Sequence, residues 1–326
     1  MANRPITFSV TITSTYDRWG SMEAIGEAAK LADQAGIHAV EFGEHIVRPL
    51  LDDGKAPAAG VVWYDTFVMA SYLASITRRI RLMTSVLVLP YRPPVLTAKL
   101  VSTLDTLSRG RVTLGIGSGA LAPEFKALGI PFEERGPMTD EYLKIMRALW
   151  TQDRPSFKGR YADFSNIAFE PKCVQTPHVP IWVGGVGPPA LRRVAEFGNG
   201  WVPNHGTLEF LAEKIRKIKS MARAAGRDSD SLDFAFRLRI GEVDERMETI
   251  LKASHGASHV FQPAYITPNE VINAINHYRS LGLTHLLLMF NWQNARDYMN
   301  RVEWIAKHIL PAFKEAPVAA GKAGGA

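Results

Sequence analysis

The sequence predicts an α/β protein built on a single (β/α)8 TIM barrel, with insertion segments at the C-terminal face of the barrel. Three observations favour this fold class. Predicted strands and helices alternate along almost the whole chain. The 326 residues exceed the roughly 250 of a typical barrel by enough for two or three insertions. Glycine-rich or polar loops follow several predicted strands, at the end where parallel α/β folds bind their ligands.

One part of the chain reads as a complete βαβ unit. The segment Arg81–Leu89 is aliphatic at nearly every position, as expected of a strand buried on both faces of a parallel sheet. Pro93 and Pro94 mark a helix start, and Gly110 ends that helix. Val112–Ile116 forms the next strand, and the loop that follows it is rich in glycine. This unit therefore ends in a backbone suited to close contact with a ligand.

The rest of the chain continues the alternation. The other predicted strands are Ile6–Thr13, Ala39–Phe42, Pro180–Val183, Gly200–Pro203, Leu232–Val243 and His285–Phe290. The other predicted helices are Ser21–Ala35, Asp65–Ile76, Thr139–Trp150, Pro188–Phe197, Leu208–Ala225 and Ala295–Phe313. Residues 48–63 and the stretch after Gly119 read as irregular, and residues 157–172 as a small β-excursion. The alternative, a doubly wound open sheet, would place the glycine loop after the first strand of its βαβ unit rather than after about the fourth.

Composition and charge limit the classes of function that the sequence allows. The hydrophobic content of 46% and charged content of 21% are ordinary for a globular enzyme. The net charge is +6, but the basic residues are scattered rather than arranged in a stripe with aromatic residues, so no nucleic-acid partner is expected. No apolar run is long enough for a membrane span, and the N-terminus does not read as a signal peptide, so we expect a cytoplasmic location and no membrane partner. The single cysteine, Cys173, offers no metal-ligand spacing.

No composition break marks a linker, so the sequence predicts one barrel domain over residues 1–316. The tail, residues 317–326, is rich in alanine and glycine and has nothing to bury. We expect it to be disordered.

Three segments at predicted strand ends could carry chemistry. Glu44 and His45 follow the second strand, where a histidine can exchange protons with a substrate, although a surface or capping histidine explains the same residues. The loop 117–119 could contact a ring or a phosphate through its backbone and the Ser118 hydroxyl, or could be only a tight turn. The segment 183–187 places three glycines before a helix that starts with Pro188, which suits phosphate binding, although a purely structural turn explains the same residues. Because each segment follows a predicted strand, all three are expected at the same end of the barrel, where they would form a single ligand-binding opening.

From Ile6 to Phe313 the chain resembles the bacterial luciferase-like flavin and deazaflavin oxidoreductases, a (β/α)8 superfamily. The order and spacing of five motifs carry the resemblance: VEFGEH, TSVLVLPYRPP, LDTLSRGRVTLGIGSG, FKALGIPFEERGPMTDEYLKIMRALW and PHVPIWVGGVGPPALRRVAEFGNGWVP. The segments FEERG, DEY, LW and PIWVGG are most similar to the branch that uses coenzyme F420, a deazaflavin hydride carrier. The boundary with the FMN-dependent branch is blurred in sequence.

The resemblance implies a set of cofactor contacts. A non-prolyl cis peptide that supports the (deaza)flavin ring in the family matches the bond between Ser85 and Val86. The family's loop beside the ring matches Gly117, Ser118 and Gly119, and its phosphate contacts match Gly184 and Gly185 next to Val183.

The resemblance also implies the catalytic residues: the active-site histidine matches His45, with Glu44 in the neighbouring acidic position. Three departures from the family's motifs argue against a sugar phosphate as substrate and against light emission. The sugar-phosphate dehydrogenases of this branch carry a Glu after the glycine loop and a Trp four residues past the histidine, where this chain has Ala120 and Pro49. The luciferases proper have a second histidine where this chain has Ile46.

We therefore expect an oxidoreductase that transfers a hydride between F420 and a small organic substrate, with His45 as proton donor or acceptor, oriented or charged by Glu44. One alternative is an FMN-dependent two-component monooxygenase that uses O2 and takes reduced flavin from a reductase partner. Another is a non-catalytic flavin-binding barrel. The family resemblance implies a homodimer, and the irregular segment 48–63 could be a lid over substrate or a packed surface loop.

Overall fold

The structure, a computed structural model, describes residues 4–12, 16–57, 60–242 and 265–313. It confirms the (β/α)8 barrel. The strands are β1 (Thr7–Thr11), β2 (Ala39–Phe42), β3 (Arg81–Thr84), β4 (Leu87–Val88), β5 (Val112–Gly117), β6 (Phe157–Lys158), β7 (Asp163–Phe164), β8 (Ile181–Gly184), β9 (Gly200–Val202), β10 (Asp233–Ile240) and β11 (His285–Phe290). The helices are α1 (Met22–Ala35), α2 (Thr66–Ile76), α3 (Pro94–Ser108), α4 (Ala122–Ala127), α5 (Arg135–Thr151), α6 (Pro188–Glu196), α7 (Leu208–Ala224), α8 (Pro268–Ser280) and α9 (Ala295–His308).

Eight parallel strands close the barrel. Their order is β3-β2-β1-β11-β10-β9-β8-β5, and a pairing between β5 and β3 completes the circle. The short strand β4 pairs with the end of β5, and β6 pairs with β7 as a separate antiparallel hairpin. Because all eight strands run in the same direction, their carboxyl ends meet at one mouth.

The barrel strands bury both faces. Outward-facing side chains join the large apolar core under the helices. Inside the barrel, Ala39, Met83, Trp182 and Ala235 come from four different strands and form a cluster of their own. Side chains alternate along a strand, so residues two positions beyond these also face inward, nearer to the mouth.

Most predicted elements match the observed ones within a few residues, and three of them differ in their bounds as follows. The predicted strand Arg81–Leu89 is interrupted at a cis peptide bond between Ser85 and Val86, which separates β3 from β4. Helix α5 starts at Arg135, one turn before the predicted Thr139. The predicted strand Leu232–Val243 stops at Ile240, and its last residue lies outside the described residues.

Two helices were not predicted. The six residues of α4 are too few to show a helical period. Helix α8 had a readable signal, because Thr267 and Glu270 form a capping box at its start.

The described residues form one barrel, and the domain boundary at residue 316 stays a prediction. The predicted disordered tail lies outside the described residues. In the part of the chain that the structure describes, no helix combines the length and apolarity that crossing a membrane requires.

Candidate active site

A cavity of about 600 Å³ lies at the mouth of the barrel. This volume is within the usual range for small-molecule and cofactor sites. All three segments singled out in the sequence line it, through Glu44, His45, Gly117, Ser118, Gly119, Gly184 and Gly185. Ser85 and Val86, at the bond matched to the family's cis peptide, line it as well. Val183 does not line the cavity, because its side chain is buried in the core.

The first wall is the bulge at the cis peptide between Ser85 and Val86, whose presence the resemblance implied. Glycines make room for it. A Cβ added to Gly117 would come within 2.8 Å of Val86 Cγ2, and one added to Gly184 within 3.1 Å of Val86 Cγ1. Because Gly117 on β5 and Gly184 on β8 have no side chains, Val86 packs directly against both strands and forms this wall of the cavity.

The second wall is the start of α6. Gly187 is its N-cap and no side chain caps this end. Pro188 and Pro189 bring no N–H groups of their own. The positive end of the helix thus faces the cavity beside Gly184 and Gly185, as an anion site requires.

Two arginines stand beside this helix start. The buried Arg193 donates from Nη1 to Ser118 Oγ at 3.0 Å and from Nε to Asp140 Oδ1 at 2.7 Å. Arg135 stacks on Phe132, with its guanidinium carbon 3.8 Å from the ring centroid, and forms no ion pair with any described residue. Arg135 therefore brings a positive charge that no described carboxylate neutralises.

His45 also lines the cavity, and its imidazole has two polar partners. Its Nδ1 is 3.1 Å from Glu124 Oε2, and its Nε2 is 2.9 Å from Nη1 of Arg48. Arginine can only donate, so Nε2 accepts and Nδ1 carries the proton that is donated to Glu124. The ring of Trp63 packs edge-on against the imidazole, with centroids 4.6 Å apart.

Glu124 is the carboxylate that positions His45. It is fully buried, and Oε1 also accepts from the backbone N–H groups of Ile46 at 2.6 Å and Val47 at 3.2 Å. Burial alone would raise the pKa of this carboxyl, but the hydrogen bonds from His45, Tyr91 and the backbone N–H of Ile46 outweigh burial and lower it. Glu124 is therefore ionised at neutral pH and holds both the imidazole and the backbone next to it.

Glu44 does not have the position expected of it. Its carboxylate accepts from the backbone N–H of Val88 at 2.7 Å and pairs with Arg92, so it fastens β4 rather than His45. The expected orientation of His45 by Glu44 is corrected by this finding, since the carboxylate on the imidazole is Glu124. Burial raises the pKa of Glu44 to about 6, although Arg92 and the Val88 N–H act to lower it.

Other cavity residues had no usable signal in the sequence. Glu124 and Arg193 lie in helices far along the chain from His45 and the glycine loop, so only the folded barrel brings them there. Further side chains from the mouth and from the inner strands also reach the cavity: Thr11, Glu41, Arg48, Tyr91, Asn204, Arg237, Leu287 and Met289.

The chain matches one protein family and several known proteins. The model of the luciferase-like monooxygenase family matches residues 6–264. An uncharacterized protein of Mycobacterium tuberculosis is 34% identical over 210 residues, which are 62% of this chain and 72% of the relative. The F420-dependent glucose-6-phosphate dehydrogenase of Amycolatopsis mediterranei is 29% identical over 233 residues, 70% of this chain and 67% of that enzyme.

A flavin-dependent relative also matches. The FMNH2-dependent dimethylsulfone monooxygenase of Pseudomonas putida is 27% identical over 166 residues, 50% of this chain and 46% of that enzyme. Among solved structures, the coenzyme F420-dependent tetrahydromethanopterin reductase of Methanopyrus kandleri superposes with a TM-score of 0.73 at 20% identity, covering 95% of this chain and all of that one. The structural likeness supports the shared fold.

Proposed function

This chain belongs to the luciferase-like monooxygenase family, and we propose that it is an oxidoreductase that transfers a hydride between coenzyme F420 and a small organic substrate. The observation that carries the proposal is the meeting of three features in one cavity. These are the bulge at Val86, the uncapped start of α6 and the His45–Glu124 pair.

The residues present fit a deazaflavin or a flavin. Val86, packed against glycines, gives an apolar wall for a ring, and the glycines at 184, 185 and 187 leave the backbone open to a phosphate. Ser118, held by Arg193, offers a hydroxyl to the same cavity. We propose that these groups hold the cofactor, and when bound F420 would supply or accept the hydride.

The chain's own contribution is proton handling and exclusion of water. His45 is held with its proton on Nδ1, and Nε2 is the nitrogen that accepts from Arg48. We propose that Nε2 exchanges a proton with the substrate once a ligand displaces that contact, while the Glu124 charge stabilises the imidazole. Trp63, packed on the ring, keeps water from this side.

Two observations favour F420 over FMN. The F420-dependent relative matches a larger share of the chain than the FMNH2-dependent one, at slightly higher identity. In addition, Arg135 lines the cavity near α6 with no described carboxylate on it. A free positive charge there suits a cofactor tail with more negative charge than a single phosphate.

The alternative is a monooxygenase that uses reduced FMN and O2 with a reductase partner, and the Pseudomonas putida relative supports it. The non-catalytic barrel gains no support, because the buried, hydrogen-bonded Glu124 under His45 is a costly arrangement for a residue with no task.

We also propose a homodimer. Val68 on α2 is 70% exposed and Leu96 on α3 is 51% exposed, and these two helices pack side by side. Large apolar side chains exposed on neighbouring helices suit an interface between copies. Light scattering of the purified protein measures the mass, and a monomer at micromolar concentration would contradict the dimer.

The test of the cofactor is an equilibrium titration with oxidised F420 and with FMN in one buffer, followed by fluorescence. Micromolar or tighter binding of F420 with little binding of FMN is the expected result, and it directs the substrate search to carbonyls and activated alkenes. The reverse preference would replace the proposal with the monooxygenase, and oxygen consumption would then be measured. Binding of neither cofactor would overturn both.

A further inference from the structure

The cavity has a second half that the cofactor residues do not use. The residues matched to cofactor contacts lie on or next to β3, β4, β5 and β8. The remaining arc, β10-β11-β1-β2, is continuous in the barrel and also opens to the cavity. Its floor carries two charged side chains, Glu41 on β2 and Arg237 on β10.

Strand geometry explains why both charges face inward. Glu41 lies two positions after Ala39, and Arg237 lies two positions after Ala235. Both alanines belong to the cluster inside the barrel. Residues two apart share a face of a strand, so Glu41 and Arg237 point to the barrel axis one layer closer to the mouth.

Glu41 is held rigidly but has one oxygen without a partner. The side chain is buried, and Oε1 accepts from Ser9 and lies 3.4 Å from Nε2 of His285. His285 is itself fixed by Thr7, with Nδ1 at 2.7 Å from the Thr7 hydroxyl. Oε2 is buried and has no hydrogen-bond partner.

The charge of this carboxylate is maintained by its neighbours. Burial would raise the pKa of Glu41, but the hydrogen bonds from His285 and Ser9, the charge of His285 and the nearby Ser85 hydroxyl lower it. An ionised oxygen without a donor is costly in a buried position. A donor from a ligand would remove that cost.

Arg237 supplies the complementary group. Its Nη1 donates to the backbone oxygen of Asn204 at 3.0 Å. It forms no ion pair with Glu41 or with any other carboxylate in the described part of the chain. Burial lowers the pKa of Arg237, and the charge of Glu41 opposes this lowering only in part. An acceptor and a donor that are not paired with each other therefore both border the cavity.

We propose that Glu41 and Arg237 form a substrate subsite for small molecules that carry a hydroxyl or amino group next to a carbonyl or carboxylate oxygen. Glu41 Oε2 accepts from the hydroxyl or amine, and Arg237 donates to the neighbouring oxygen. Because this arc faces the strands matched to the cofactor, the ligand lies between the floor and the ring. Its role as substrate rests on the proposed function, whereas the binding itself does not.

The test uses two probes that differ by one hydroxyl, 2-hydroxycyclohexanone and cyclohexanone. Their dissociation constants are measured by ligand-observed NMR on the full chain saturated with the cofactor that binds, and on the protein alone. We expect 2-hydroxycyclohexanone to bind about 10- to 100-fold more tightly, because hydrogen bonds to charged groups contribute that much. Glu41→Gln should abolish most of the difference.

Two further variants make the result specific. Arg237→Gln should weaken both probes about equally, since both carry the carbonyl, and it carries the test if Glu41→Gln does not fold. Glu209→Gln, an exposed charge change at the start of α7, should leave both constants unchanged.

Equal binding of the two probes, or full discrimination in Glu41→Gln, would overturn the subsite. Displacement of both probes by saturating cofactor would also overturn it, because Glu41 and Arg237 would then belong to the cofactor's own site. Discrimination that persists in a protein that binds neither F420 nor FMN would keep the subsite and reject the proposed function.

Discussion

Nδ1 of His45 lies 3.1 Å from Oε2 of Glu124, a residue 79 positions further along the chain. The same carboxylate also accepts from the two backbone N–H groups that follow His45. A single buried side chain thus fixes the imidazole and the turn that carries it. Glu124 is a positioning residue, and His45 is the group that faces the cavity.

This arrangement predicts separate effects on binding and turnover. His45→Ala should leave the dissociation constant of the cofactor within about threefold and lower turnover about 100-fold, the usual contribution of a positioned acid or base. Glu124→Gln should lower turnover about 10-fold, because the amide keeps a contact but loses the charge. Turnover is measured in the carbonyl or alkene reduction found with the bound cofactor.

Two measurements separate positioning from general damage. The double variant should be no slower than His45→Ala, since Glu124 acts through the imidazole. Independent additive losses would contradict this. In addition, ¹⁵N NMR of the ligand-free protein should show His45 protonated at Nδ1 and not at Nε2, and the opposite tautomer would remove the assignment.

The charge on Arg135 predicts an effect on cofactor affinity. Arg135→Gln should weaken binding about 10-fold, because a charge-assisted contact to an anionic tail is lost. The loss should be smaller at high salt, where such contacts are screened. Fluorescence titrations at two salt concentrations measure both effects.

The matched control is Arg216→Gln, which removes an exposed positive charge on α7 away from the cavity. An equal loss of affinity in both variants would show that only net charge matters.

The seating of Val86 on glycine predicts a position-specific effect. Gly117→Ala would place a methyl group 2.8 Å from Val86 Cγ2, so the cavity wall must shift and the cofactor should bind at least about 10-fold more weakly. Gly136→Ala, which lies outside the cavity lining, meets nothing closer than 3.8 Å and should change affinity less than about threefold. Equal effects in the two titrations would contradict this account of the wall.

The sequence was sufficient for the barrel because its signals are local. The aliphatic run before Ser85, the helix start at Pro94 and the glycines after Ile116 each depend on neighbours in the chain, and the structure reproduces them. The convergence of the three loop segments follows from parallel strands alone.

The chemistry of the site depends on distant contacts, and these could not be predicted. Glu44 is adjacent to His45 in sequence, yet adjacent residues near a strand end point in different directions, and Glu44 turns to Arg92. The partner of His45 is instead Glu124 on the short helix α4, and six residues are too few to show a helical period in the sequence. The floor pair of Glu41 and Arg237 likewise requires the closed barrel.

The pKa of Glu44 tests whether burial or the attraction to Arg92 dominates at this buried ion pair. Burial raises its pKa from 4.5 to about 6 despite the opposing effect of Arg92. The folded state then binds the proton more tightly than the unfolded state does. The contribution of Glu44 to stability is therefore full below pH 4.5 and falls as the pH rises to about 6, by about 2 kcal/mol.

The measurement is urea unfolding of the wild type and of Glu44→Gln between pH 4 and pH 7. Glutamine has no such proton, so the other titrating groups cancel in the difference of the two free energies of unfolding. That difference, wild type minus variant, should decrease with rising pH between 4.5 and 6 and be flat above. An increase over the same interval would mean that attraction to Arg92 exceeds the cost of burial, since a carboxylate with a lowered pKa stabilises the fold only once it is ionised.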